Sequence, residues 1–187
     1  MTFIKYWCTM MLGLKHNLNY LVDYDPGWPG AFEEERVRLA TALRSIAKGV
    51  EHYGSTSVVG MRAKPILDIL IGVTPLEEWV LCQGPLLRLG YDYAANAGVP
   101  GHFIFGRGRD ATERTHLLHV VDFDGESWRL NLALRDALRR DAALRHAYEK
   151  EKEHAIAEAP NNRARYNELK RDFLERAKAT LRSGPLP

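Results

Sequence analysis

The chain has 187 residues, 26 of them Lys or Arg against 24 Asp or Glu, for a formal net charge of +2. That near-balance gives no basic surface of the kind that nucleic acid or membrane binding needs, so neither partner is expected. Two cysteines, Cys8 and Cys82, exclude a disulfide framework and a Cys-rich zinc site, which fits a reducing cytoplasm.

The first fourteen residues, MTFIKYWCTMMLGL, form an apolar run too short to span a bilayer and without a small-residue cleavage signal. Residues 1–20 are therefore expected to be an N-terminal extension, disordered or non-native, with Met10 or Met11 as alternative starts. Residues 21–182 are expected to form one domain.

Tyr24-Asp25-Pro26-Gly27-Trp28-Pro29-Gly30 is a turn-rich entry, and the pattern of Phe32, Val37, Leu39, Leu43 and Ile46 predicts an amphipathic helix over 31–47. Residues 50–54 predict a short strand ending at Gly54. The run Ile66 to Val73 predicts a strand covered on both faces. Thr74 and Pro75 suit the N-cap and first position of a helix that reaches Gly90, with Gly84-Pro85 as a break point. Strands are predicted at 91–94, 102–106 and 115–122, and helices at 126–139, 141–157 and 162–181. The fold class is α+β or mixed α/β, with helices packed on a small mixed sheet.

Chemistry concentrates in 51–73, EHYGSTSVVGMRAKPILDILIGV. Asp68 stands in the middle of an apolar strand, a costly place for a carboxylate unless cations or donors meet it. Gly54, Ser55, Thr56 and Ser57 supply a turn that suits close approach to a phosphate, and a helix starting near Ser57 would add its dipole. The alternative is an ordinary strand-to-helix turn. Lys64 either contacts phosphate or neutralises Asp68. His116 and His119, three apart on a strand, point to opposite faces and cannot share one ion. Asp122 and Asp124 are either metal ligands or turn acids, the latter favoured for Asp124 before Gly125. Arg135, Arg139, Lys152, Arg163 and Lys170, interleaved with acids, are expected on a solvated helical face.

The chain resembles the GrpB family, within the nucleotidyltransferase-like superfamily. The resemblance rests on VDYDPGWPGAFEEER (22–36), the 51–73 block, RTHLLHVV (114–121), LRDALRR (134–140), Tyr148 through Lys152, and YNELKRDF (166–173). It implies a mixed sheet with flanking helices and a helical C-terminal part. It also implies a Gly-Ser turn leading to acids that hold Mg²⁺ on a nucleoside triphosphate, with Asp68 as first acid and catalytic residue. His119 would be catalytic or a metal ligand, and Asp122 would complete the metal shell. Leu70 stands where the active superfamily has a second acid, and Leu117 where the family tends to have histidine. Two readings follow: a Mg²⁺-dependent nucleotidyl or phosphoryl transferase, or a binding module that kept the fold and the phosphate turn without transfer. The acceptor and the oligomeric state leave no trace in the sequence.

Overall fold

The structure is a computed structural model that describes residues 12–95, 99–110 and 112–183. Cys8, Met10 and Met11 lie outside the described residues. The elements run β1 (Leu14–Lys15), α1 (Trp28–Ala42), β2 (Gly49–Tyr53), β3 (Leu67–Val73), α2 (Trp79–Arg88), β4 (Asp92–Tyr93), β5 (Phe103–Arg107), β6 (Glu113–Arg114) and β7 (His116–Asp122). Helices α3 (Glu126–Arg140), α4 (Ala142–Glu158) and α5 (Arg163–Ser183) complete the chain.

Strands β2-β3-β7-β5-β4 form one sheet in that order, with β3 and β7 parallel and the other pairs antiparallel. The mixed sheet flanked by helices, with a helical C-terminal part, is the architecture expected from sequence. Because β3 is central and covered on both faces, its apolar run does not alternate. Its odd residues Leu67, Ile69, Ile71 and Val73 share a face with Leu118 and Val120 of β7. There Leu39 and Leu43, from α1 and just beyond it, and Cys82 and Leu86 of α2 close the main core. On the opposite face Leu70 and Val121 pack against Trp128 of α3.

Two local readings change. The α2 turn is not capped by Thr74: a 3-10 turn, Leu76–Glu78, precedes the helix, whose N-cap position is Glu78. Pro85 does not break α2, since it lies inside a helix that continues to Arg88. Part of the segment read as an extension joins the domain. β1 pairs with β6, and Leu14 is buried. The Asn19 side chain donates to the Ala159 carbonyl at 2.6 Å, linking this segment to the end of α4.

The helix-to-sheet contact on the α1 face contains one buried carboxylate. Glu35 of α1 accepts from the Tyr91 hydroxyl at 2.8 Å, from Arg107 of β5 at 2.7 Å and from Arg38 at 2.8 Å. Arg107 in turn contacts the His116 ring at 3.2 Å. Burial raises the carboxyl's proton affinity, but Tyr91 and Arg107 outweigh it and hold Glu35 below the usual range. Removing one member of such a pair leaves the other charge without its answer. Glu35→Leu should therefore cost about 3 kcal/mol, whereas Glu35→Leu combined with Arg107→Met should recover much of the loss. Urea unfolding of the two variants measures both.

Candidate functional site

The site is built on the β3 face turned toward the C-terminal helices. Tyr53 of β2 pairs with Asp68, Asp68 pairs with Leu117 of β7, and Leu70 pairs with His119. Tyr53, Asp68, Leu70, Leu117 and His119 therefore share one face. Gly54 follows with φ +70°, a conformation that favours glycine. A Cβ at this position would lie 2.5 Å from Asp68 Oδ2, so the turn backbone rests directly against the carboxylate.

Asp68 carries the charge of the site. Among the described residues no group donates a hydrogen bond to its carboxylate, and the cations that oppose it act at longer range. Burial pushes its proton affinity up to about 6, and Lys170, then Lys64 and Arg163, hold it from rising further. Lys170 and Arg163 come from α5. Lys64 Nζ donates to Asn19 Oδ1 at 2.6 Å and sits 3.2 Å from the Tyr166 ring centroid. Burial, then Arg163 and Lys170, push Lys64 down to about 5. Burial also lowers Lys170 and Arg163, and the two repel each other. Cations crowded around a single carboxylate leave this face of the sheet short of negative charge.

The Gly-Ser turn divides in two. The Thr56 hydroxyl contacts His52 Nε2 at 3.0 Å, and Ser57 Oγ donates to the Gly54 carbonyl at 2.6 Å, so both serve the turn itself. Ser55 is the member that faces this side, where Lys152 of α4 approaches its Oγ at 3.3 Å. Lys152 also donates to the Arg62 carbonyl, and burial lowers it to about 7. The helix envisaged at Ser57 is only a 3-10 turn, Ser55–Ser57, too short to provide a dipole.

His119 lies at the far end of the same face, its ring edge-on to Tyr53 at 5.3 Å. Asn131 Nδ2 donates to Ser127 Oγ at 3.3 Å, and that hydroxyl lies 2.5 Å from His102 Nε2. His102 Nδ1 lies 3.1 Å from His119 Nδ1, with the histidine tautomers setting which group donates in each contact. Burial keeps both rings neutral at physiological pH, His119 at about 3 and His102 at about 4. His116 faces the other way, toward Arg107, as its spacing from His119 predicts.

Asp122 does not join Asp68. It pairs with Val73 on the α1 face of the sheet and is exposed at the strand end, where Gly125 N–H bonds its carbonyl at 3.1 Å. Leu70 is fully buried, so the second acid position is filled by core. Among the described residues no group of three or more His, Cys, Asp or Glu side chains could hold a metal ion. The donor set does not fit the two-ion centre that the resemblance implies.

Arg163 and Lys170, expected on a solvated face, act on Asp68 instead. Lys152 at Ser55 is 2% exposed. A signal for this was present. Tyr148, Lys152, Ala155 and Ala159 recur at four, three and four residues, the buried stripe of α4, and Tyr166, Lys170, Phe173 and Ala177 repeat that spacing on α5. Each lysine occupies a core position of its helix.

Comparison with known proteins places the chain. The model of the family described as GrpB protein matches residues 20–180. The chain belongs to the GrpB family. It is 30% identical over 168 residues to the glutamate-rich protein GrpB of Alkalihalophilus pseudofirmus, covering 88% of this chain and 97% of that protein. A UPF0157 protein of Streptomyces coelicolor is 34% identical, with 82% of this chain and 79% of that one covered. The crystal structure of conserved protein GrpB from Enterococcus faecalis superposes with a TM-score of 0.74 at 30% identity, over 88% of this chain and all of that one. Among the described residues no helix is long and apolar enough to cross a membrane.

The raised Asp68 fixes a pH dependence. An unfolded carboxyl ionises near 3.8 and the folded one near 6. Below about pH 3 both states are largely protonated and the shift costs almost nothing. As pH rises from 4 through 6 the unfolded state ionises first, so stability falls, and it stays lower above 6. Asp68→Asn removes that cost. Its melting temperature should match the parent protein near pH 3 and exceed it at pH 7.5, by the equivalent of about 3 kcal/mol. Thermal unfolding across this range checks it.

Proposed function

We propose that this GrpB protein binds a nucleoside triphosphate, or another phosphorylated ligand, between the sheet face of Asp68 and helices α4 and α5. The observation that supports this most is the positive charge on this face: Arg163 and Lys170 near one carboxylate, with Lys152 at Ser55. Phosphate oxygens would take Ser55 and the lysines, the partners that a strongly charged acceptor favours. The resemblance to nucleotidyltransferases makes the Gly54–Ser55 turn the natural phosphate end.

In this reading ammonium groups, chiefly Lys170, supply the positive charge that metal-dependent transferases take from Mg²⁺. The protein is then a phospho-ligand-binding module of nucleotidyltransferase-like build.

Transfer chemistry is the second reading, and one feature favours it. Asp68 has no hydrogen-bond donor among the described residues, and a carboxyl that titrates near 6 can exchange a proton at physiological pH. The same group would accept a proton from an attacking hydroxyl of a substrate. His119, neutral and held by His102, would stand beside it as a second polar group of that face.

Calorimetric titration with ATP, with and without Mg²⁺, separates the readings. Binding is expected in both conditions with comparable affinity, and Lys170→Gln should weaken it at least tenfold. Affinity should also fall as pH rises above 7, because Lys152, lowered to about 7, loses its charge there. Binding that vanishes without Mg²⁺, or nucleotide turnover abolished by Asp68→Ala, would transfer the case to the catalytic reading.

A further inference from the structure

A cavity of about 530 Å³ opens at the edge of the sheet beside β2, and neither Asp68 nor any of the cations around it lines the space. The walls are Pro29 and Phe32 of α1, His52 of β2, Val59 beyond the Gly-Ser turn, and Arg135 and Arg139 of α3. The volume lies within the range of small-molecule sites, which are mostly apolar with a few placed polar groups.

The wall carries an aromatic pair. The Phe32 and His52 rings stack at 4.7 Å with their planes 14° apart. Val59 is 69% exposed, an apolar side chain that nothing in the described structure covers.

The charged wall is held rigidly. Arg135 donates to both oxygens of Asp136 at 2.8 and 3.2 Å, to Glu51 at 2.8 Å and to the His52 carbonyl at 3.1 Å. Arg139 donates through Nε and Nη2 to the Ser57 carbonyl at 3.1 and 2.9 Å, and through Nη1 to Asp136 at 3.3 Å. A guanidinium has five N–H groups, so Arg139 keeps two without a partner among the described residues. Glu51 and Asp136 are both engaged chiefly by Arg135, which leaves Arg139 the less compensated of the two. The field at the aromatic pair is positive accordingly: after burial, Arg139 and Arg135 are what depress the proton affinity of His52, to about 3.

We propose that this cavity is a second ligand site, for a small planar carboxylate whose ring lies against Phe32 and Val59 and whose carboxylate takes the free donors of Arg139. A single carboxylate matches the fork of one guanidinium. A triphosphate does not suit the place, since Glu51 lines the same wall and Asp136 is bonded to both arginines, and their charges would repel further negative charge. A neutral ring would gain the stacking and leave the Arg139 donors unanswered.

The test uses the full chain and benzoate as probe, with benzamide as its neutral analogue, titrated by amide NMR. Benzoate should bind at least tenfold more tightly than benzamide and shift the resonances of Phe32, His52 and Val59. Arg139→Gln should weaken benzoate at least tenfold. Arg139 also grips the Ser57 carbonyl, so Val59→Asp serves as an independent variant at an exposed position. It should weaken benzoate by a similar factor while leaving the fold intact. Asp68→Asn should leave benzoate affinity within twofold. Equal affinity for benzamide and benzoate, or benzoate binding indifferent to both Arg139→Gln and Val59→Asp, would overturn the proposal. So would loss of benzoate binding in Asp68→Asn, since that places the probe at the Asp68 face and not at the sheet edge.

Discussion

A carboxylate set in the middle of a strand that is covered on both faces has to be answered by charge from other elements. Asp68 cannot reach solvent freely, and the turn at Gly54 presses its backbone against one side of the carboxylate. The answer comes from Lys170 and Arg163, about a hundred residues later in the chain, and from Lys64 on the approach to β3. Helix α5 is thereby tied to the sheet by electrostatics as well as by apolar packing. The tie is incomplete, because burial still dominates and the carboxyl is held at a higher proton affinity than an exposed one. A site that costs stability in this way is the usual mark of function, since a well-packed apolar residue would hold the strand better.

The sheet separates two kinds of polar cluster. On the α1 side Glu35, Tyr91, Arg107 and His116 meet one another in a closed set of hydrogen bonds, and the network fixes helix to strand. On the α5 side the cations exceed the carboxylates and repel one another, and Asp68 is left without a donor among the described residues. The first arrangement is complete by itself. The second is left open. The strand period of two decides which residues belong to which: His116 and His119 are three apart and therefore serve opposite sides of the sheet.

Much of the framework was legible in the sequence. The predicted strands and helices correspond to β2 to β5, β7 and all five helices within a few residues at most boundaries, because apolar periodicity and Gly or Pro punctuation are local signals. The β1–β6 pair was not legible: two residues carry no period, and their pairing depends on contacts a hundred residues apart. The Thr74 cap failed for a local reason, a 3-10 turn intervening before α2. At the site, Asp68, Gly54 and Ser55 could be singled out because a lone acid in an apolar strand after a Gly-Ser turn is a chemical anomaly. Asp122 looked equally acidic and nearby in sequence, yet the register places it on the opposite face.

The sequence by itself determined the elements, the GrpB resemblance, the anomalous acid and the loss of a second acid at Leu70. Each of these is read from neighbours along the chain. Only the tertiary structure decided what surrounds that acid. Lys152 and Lys170 fall on the apolar stripes of their helices, a local sign that they turn inward, but nothing local says which group they meet there. Packing α5 against α3 and α4 brought the lysines of their buried stripes to Asp68 and Ser55. Desolvation then converted those side chains from surface charge into the electrostatic surroundings of the site, because the same charge interacts far more strongly out of water than in it.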